Sequence, residues 1–96
     1  TESLSELRKQ IDEIDDEMLS ILSKRMRISR EIGTFKKEHN MQILQTARYS
    51  EILEDRIKQA VSFGIDGDCM QKILEAIHEE SIRQQMEVMN KNNTDI

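Results

Sequence analysis

Proline and tryptophan are absent from this 96-residue chain, and glycine occurs only three times. Residues that break helices are therefore scarce, and long helices are favoured. Aromatic residues make up 3% of the chain. A single chain of this size buries only about 60–65% of its unfolded surface, so a lone core is marginal and oligomerisation would help. One cysteine excludes an internal disulfide. Cys69 falls in an apolar helical pattern and is expected to be a buried thiol of a reducing compartment. His39 and His78 are isolated, so no metal site is expected, and no cofactor either. No run approaches the roughly 20 apolar residues of a membrane span, and no signal-peptide pattern is visible, which points to the cytoplasm. The first residue is Thr1 rather than Met, as in a processed or excised segment.

Positive charge is also short. The net charge is −5, which argues against general nucleic-acid binding. Its distribution is uneven. Lys24, Arg25, Arg27, Arg30, Lys36 and Lys37 face only Glu31 between residues 24 and 37, a local excess of +5 in a chain that is otherwise −10. Such a stretch can be a solvated helix face or can receive a small anion.

What is present is helical periodicity, in one domain over residues 1–90 with a polar, frayed tail at 91–96. Ser3 and Glu6 have capping-box spacing, and a first helix is expected from Ser3 to Glu38. Along it Leu4, Leu7, Ile11, Ile14, Met18, Ile21, Arg25, Ile28, Ile32 and Phe35 follow a heptad period, widened by Leu19, Leu22 and Met26. Gly33 is a candidate end or bend, and Asn40 a stop. A second helix is expected over Gln45 to Ser62, with Tyr49, Ile52, Leu53, Ile57, Ala60 and Val61 on its buried side. Gly64 closes it. A third is expected over Asp68 to Asn90, capped by Asp66 or Asp68. Its apolar side carries Met70, Ile73, Leu74, Ile77, Ile82, Met86 and Met89. The fold class is therefore all-α with three helices. A first helix of about 36 residues is about 54 Å long, beyond the diameter of a compact domain of this size. Two shorter helices cannot cover its stripe. A two-fold homodimer is the expected solution.

Polar residues interrupt these patterns. Arg25 takes a heptad place otherwise held by aliphatic or aromatic residues. Buried there, it needs either an acidic partner or an external anion, unless it sets helix register. Lys36 lies eleven residues on, on the same face about 16 Å along. Arg8 lies about 25 Å before Arg25, so it can reach a shared ligand only from a second, antiparallel chain. Ser81 and Gln85 fall at i and i+4 on the third helix, where an inter-helix hydrogen bond and a ligand are both open readings.

Leu7-Arg8, Ile14-Asp15, the Arg25 region, Glu31-Ile32-Gly33 with Lys36, Arg48, and Glu79-Glu80-Ser81 with Gln85 together resemble the AroQ class of chorismate mutases. The resemblance covers almost the whole chain. It implies an intertwined dimer of three-helix subunits with two identical sites and chorismate as substrate. It implies that Arg25 binds one carboxylate and that Arg8 of the other subunit binds the second. Lys36 and Gln85 would contact the ether oxygen whose bond breaks. Arg48 and Ser81 would line the pocket, with Gln45 at its edge near the ring hydroxyl. The chain departs from the family pattern at Gln45, where an acidic residue is frequent, and at Tyr49, where a glutamate is frequent. Isochorismate pyruvate lyases share the fold and lack that glutamate, whereas Ser81 fits the mutases.

The implied reaction is unimolecular and needs no nucleophile, metal or proton transfer. The protein must hold a compact substrate conformer and stabilise charge growing on the ether oxygen. A set of cations with an amide suits that task. Two other readings remain from the residues alone: a lyase on the same fold, and a non-catalytic helical dimer in which Arg25 and Gln85 set register. Fusion to another shikimate-pathway enzyme is compatible with each.

Overall fold

The structure, a computed structural model, describes residues 1–91 and contains three helices: α1 (Leu4–Glu38), α2 (Thr46–Ser62) and α3 (Gly67–Lys91). No strand occurs among the described residues. Of the polar tail expected at 91–96, all but Lys91 lies outside the described residues, and Lys91 closes α3.

The ends form as local chemistry requires. Ser3 caps α1 by accepting from the Glu6 backbone N–H at 3.1 Å, and the Glu6 carboxylate accepts from the Ser3 N–H at 3.0 Å, which completes the capping box. Gly33 neither ends nor interrupts α1. The helix stops at Asn40, whose φ of 54° is left-handed. There the Asn40 N–H donates to Lys37 O and the Met41 N–H to Lys36 O at 2.8 Å, the paired closure of a Schellman turn. Gly64, with φ of 82°, ends α2 in the same way, with the Ile65 N–H donating to Ala60 O at 2.9 Å. Of the two candidate caps for α3, Asp66 is the one used. Its carboxylate accepts from the Cys69 N–H at 2.9 Å.

α3 packs on both other helices, and α1 and α2 do not touch. Contacts pair Ser29 with Ser81, Arg30 with Gln84, Gly33 with Gln85 and Lys37 with Val88, so α1 and α3 run parallel. The covered positions on α1 are Leu22, Met26, Ser29, Gly33 and Lys36, spaced four and three apart. This is the edge of the apolar stripe rather than its centre. Leu4, Leu7, Ile11, Ile14, Met18, Ile21, Ile28, Ile32 and Phe35 all stay exposed. The chain measures 61 × 30 × 15 Å with a radius of gyration of 17.3 Å, against about 13 Å for a compact domain of this length. It exposes 7807 Å², where a folded monomer of its mass usually exposes roughly 5,700 Å².

Two expectations of burial fail. Cys69 is exposed rather than buried. It lies one residue from Met70 and five from Leu74, and the helix turns it about 100° and about 140° away from them. Val61 is exposed because Ala60 takes the covered place on α2. Arg25 is exposed within the single chain, since its heptad row has no cover there.

The buried residues are few and mostly small or polar. Ala60 is 5% exposed, Ser29 3%, Ser81 8% and Gln85 6%. Ser29 and Ser81 hydrogen-bond to each other across the α1–α3 seam. Either serine alone would leave a desolvated hydroxyl, which costs about 1–3 kcal/mol. Ser29→Ala is therefore expected to destabilise the protein by about 1–2 kcal/mol, with much of the loss recovered when Ser81→Ala is added. Urea unfolding of the two single variants and the double variant checks this. Strict additivity would show that the two hydroxyls do not depend on each other.

Candidate functional site

A cleft of about 460 Å³ lies in the gap between α1 and α2. α3 forms its floor with Leu74, His78, Ser81, Ile82 and Gln85. α1 contributes Arg25, Ile32 and Lys36, and α2 contributes Arg48, Tyr49, Ile52 and Leu53. Met41, Ile43 and Gln45 come from the connection between α1 and α2. The volume suits a small molecule. Of the seven expected site residues, Arg25, Lys36, Gln45, Arg48, Ser81 and Gln85 line this one cleft. Arg8 does not. It stands one helix end away on the exposed first turns of α1, about 25 Å before Arg25.

Lys36 is positioned by the end of its own helix. The Schellman turn at Asn40 reverses the chain, and the returning segment brings Ile43 O to the Lys36 ammonium, 2.7 Å away. The same nitrogen donates to Gln85 Oε1 at 3.0 Å. Two of its three protons are thus committed, and one remains for a ligand. Partial burial lowers the Lys36 pKa from its ordinary value. With its oxygen turned to Lys36, the Gln85 amide keeps its N–H₂ group as a donor. Gln45 has a local task, as its Nε2 donates to Gln42 O at 2.9 Å. The Ser81 hydroxyl meets Ser29, so the inter-helix bond and the place in the cleft hold together.

None of the three cleft cations has a carboxylate within salt-bridge distance among the described residues. The ion pairs lie elsewhere, at Arg56–Asp55, Lys58–Glu54 and Arg83 with Glu80 and Glu87. Glu80 is held down at about 2 by hydrogen bonds from Arg83 and then Gln84. Among the described residues, then, Arg25 is not half of a structural ion pair. The basic stretch is also sorted. Arg25 and Lys36 face the cleft, whereas Arg30 donates to Gln84 Oε1 at 3.1 Å outside it.

Sequence reasoning missed His78. It stacks on Tyr49 with ring centroids 3.6 Å apart and planes within 15°. Read as isolated, it in fact precedes Ser81 by three residues and Gln85 by seven, which places all three on one helix face. That spacing was the available signal. His39 has no such part. It stacks on Phe35, and its Nδ1 meets Phe35 O at 2.8 Å.

Residues 7–86 match the family described as chorismate mutase type II. The chain is 32% identical over 78 residues to the T-protein of Enterobacter agglomerans, covering 81% of this chain and 21% of that protein. It is 39% identical over 66 residues to the bifunctional chorismate mutase/prephenate dehydratase of Aquifex aeolicus, covering 67% and 18%. It is 27% identical over 95 residues to the chorismate mutase of Methanocaldococcus jannaschii, covering 95% and 96%. The chain thus spans about a fifth of the length of the first two relatives and nearly all of the third.

The Lys36–Gln85 contact depends on Gly33. A Cβ there would stand 3.0 Å from the Gln85 Cα and 3.3 Å from its Cβ and carbonyl oxygen. Backbone, not a flexible side-chain end, is the obstacle. Glycine to alanine inside a helix ordinarily stabilises by about 1 kcal/mol, whereas overpacking costs about 1–3 kcal/mol. Gly33→Ala is expected to reverse the ordinary sign and destabilise by about 1 kcal/mol. Thermal or urea unfolding reads the sign directly, and a stabilised variant would show that α3 gives way without cost.

Proposed function

The chain belongs to the chorismate mutase type II family, and we propose that it rearranges chorismate to prephenate on the way to phenylalanine and tyrosine, in the cytoplasm and without a cofactor. The observation that carries this reading is the cleft itself. Arg25, Lys36 and Arg48 meet Ser81 and Gln85 there, and no carboxylate of the described residues neutralises the cations.

In this reading Arg25 binds one carboxylate of chorismate and holds the reactive, compact conformer, in which the two carbon ends of the new bond approach each other. As the ether C–O bond breaks, negative charge grows on its oxygen. The third Lys36 proton and the free Gln85 amide hydrogens are donors already in place for that charge, and their orientation costs nothing at the moment of reaction. Arg48, Ser81 and Gln45 border the substrate. The second carboxylate needs a second cation, and Arg8 of another copy supplies it.

That assignment makes the active species a homodimer. The uncovered α1 row and the excess of exposed surface support it, since a second α1 laid along the row would cover both. The stretch matched to this chain covers 96% of the relative named chorismate mutase and 18% of the bifunctional one, and this chain fits either setting.

Arg8→Ala and Arg25→Ala are each expected to be inactive and to complement each other when mixed. Their heterodimer would hold one site with both lesions and one with neither, giving about half the parental activity per dimer. Sedimentation should show dimers throughout. A compact 11.3 kDa monomer, or mixing that restores nothing after proven subunit exchange, would overturn the shared site.

The decisive assay follows the conversion of chorismate to prephenate by the purified protein and by Gln85→Glu across pH. A carboxyl at position 85 donates only when protonated, and Lys36 beside it favours the charged form. The variant is therefore expected to be nearly inactive at neutral pH, with kcat rising relative to the parent as pH falls toward the carboxylic range. Gln85→Ala is expected to lose about 3 kcal/mol of transition-state stabilisation at every pH. A folded dimer that leaves chorismate unchanged would overturn the function. A pH ratio that stays flat for Gln85→Glu would remove α3 from the reaction.

A further inference from the structure

His78 has no part in the reaction proposed above, yet it stands on the floor of the same cleft. Its ring lies flat against Tyr49, 3.6 Å between centroids, so its plane is fixed by a neighbour on a different helix. Neither ring nitrogen has a hydrogen-bond partner among the described residues, and no buried nitrogen lacks one, so both nitrogens stay accessible on a residue that lines the cleft. A half-buried imidazole kept flat against a phenol, with its nitrogens left free in a cationic cleft, is poorly explained as packing. A leucine would fill the same space without an exposed polar edge.

The charges around it come from all three helices. α1 presents Arg25 and Lys36. α2 presents the Tyr49 phenol and, on the same cleft wall, Arg48. α3 presents Glu79. Tyr49 stays neutral, its pKa raised by burial and by Glu75 and Glu79. Burial first, then Arg25 and Lys36, lower the His78 pKa from its ordinary 6.5, and Glu79 opposes them.

We propose that His78, braced by Tyr49, is a further substrate-binding residue of the cleft and couples the binding of a small dicarboxylate to the uptake of one proton. The ligand's two negative charges offset those of Arg25 and Lys36. Burial of the imidazolium is then compensated by an anion, and the proton, taken from solvent, rests on a ring nitrogen that donates to the ligand. No other bond changes. This rests on the function proposed above only for the identity of the dicarboxylate.

The sign follows from linkage. A group whose pKa is lower in the free protein than in the complex binds more protons in the complex. Affinity therefore rises as pH falls through the window between the two values. The free-state value lies below 6.5, so the window opens there and extends upward. The carboxylates of the ligand stay ionised throughout it. Arg8 of a second subunit would add another cation to the empty cleft and so widen the window.

With only two histidines in the chain, ring-proton NMR resolves the His78 titration once His39→Gln has assigned the other. The titration is run on the dimer, free and saturated with prephenate. The expected result is an upward shift of the His78 midpoint on binding. Calorimetry in two buffers of different ionisation enthalpy should show proton uptake in step with it. Steady-state kinetics should show KM for chorismate falling roughly threefold or more between about pH 7.5 and about pH 5.5, with kcat little changed. His78→Phe, which keeps the stack on Tyr49, is expected to abolish the proton uptake and flatten KM. An unshifted or lowered His78 midpoint in a protein that turns over chorismate would overturn this inference and leave the mutase reading intact. A protein that neither turns over chorismate nor binds prephenate would overturn both. The NMR and calorimetric readings on the parent stand even if His78→Phe does not fold.

Discussion

The distance between α1 and α3 is set by a missing methyl group. Because Gly33 has no Cβ, the α3 backbone at Gln85 comes as close to α1 as van der Waals radii allow. Everything polar in the seam is arranged about that point. Four residues earlier on both helices, Ser29 meets Ser81. Three residues later on α1, Lys36 reaches Gln85. The helices run parallel, so one tight contact fixes the register of the others. A wider spacing would separate the serines and leave two desolvated hydroxyls, and it would move the Gln85 amide off the ammonium that orients it. A seam of this kind contributes little apolar burial. It tolerates polar groups because each finds its partner, with no buried side-chain nitrogen or oxygen left unsatisfied among the described residues.

This explains why the chain has almost no core of its own. Ala60 is the one buried apolar residue among the described residues, and the long aliphatic side chains of α1 lie outward. The helix therefore carries two adjoining stripes with different work. Leu22, Met26, Ser29, Gly33 and Lys36 set geometry against α3. The row from Leu4 to Phe35 holds apolar surface that α2 and α3 leave uncovered. In the dimer proposed here stability comes mainly from the second stripe, and chemistry draws on both, with Lys36 from the first and Arg25 from the second. Burying the outer row at about 25 cal/mol per Å² offsets the cost of a polar seam and of a cleft lined with like charges.

How much of this the sequence discloses follows from the range of each interaction. Helix ends are local, and Ser3 with Glu6, Asn40, Gly64 and Asp66 act within a few residues of themselves. Their roles are legible to within a residue or two. The heptad row is also legible, but its period does not say which chain covers it. Leu22 and Met26, which looked like an extension of the row, turned out to be the intrachain contact. Cys69 and Val61 were misjudged for a related reason, because periodicity fixes a face only to about 100° and their neighbours Met70 and Ala60 took the covered places. Gly33 was read as a helix breaker because sequence carries its propensity but not the approach of Gln85, 52 residues on. The site was legible where an oddity breaks a pattern, as at Arg25, Ser81 and Gln85. His78 breaks nothing. A histidine among charged neighbours on a helix is unremarkable until Tyr49 is seen lying against it.

The cleft gathers charge of one sign. Arg25, Lys36 and Arg48 share one concave space with no carboxylate beside them among the described residues, while the exposed ion pairs on α2 and α3 keep their acids elsewhere. Like charges gathered in a partly buried space raise the free energy of the unliganded protein. Two features of the cleft temper that. Lys36 spends two protons on neutral acceptors, and burial draws its pKa downward. His78, beside the same charges, is pushed toward its neutral form. The push of Arg25 and Lys36 on His78 weakens as soon as a dianion enters. The strain of the empty cleft is thus the complement of its affinity for a doubly charged ligand, and the neutral amide of Gln85 can sit among these charges because it adds a donor without adding another charge. A carboxylate at that position would relieve the same repulsion permanently. It would tie up Lys36 and leave the cleft less need of a substrate.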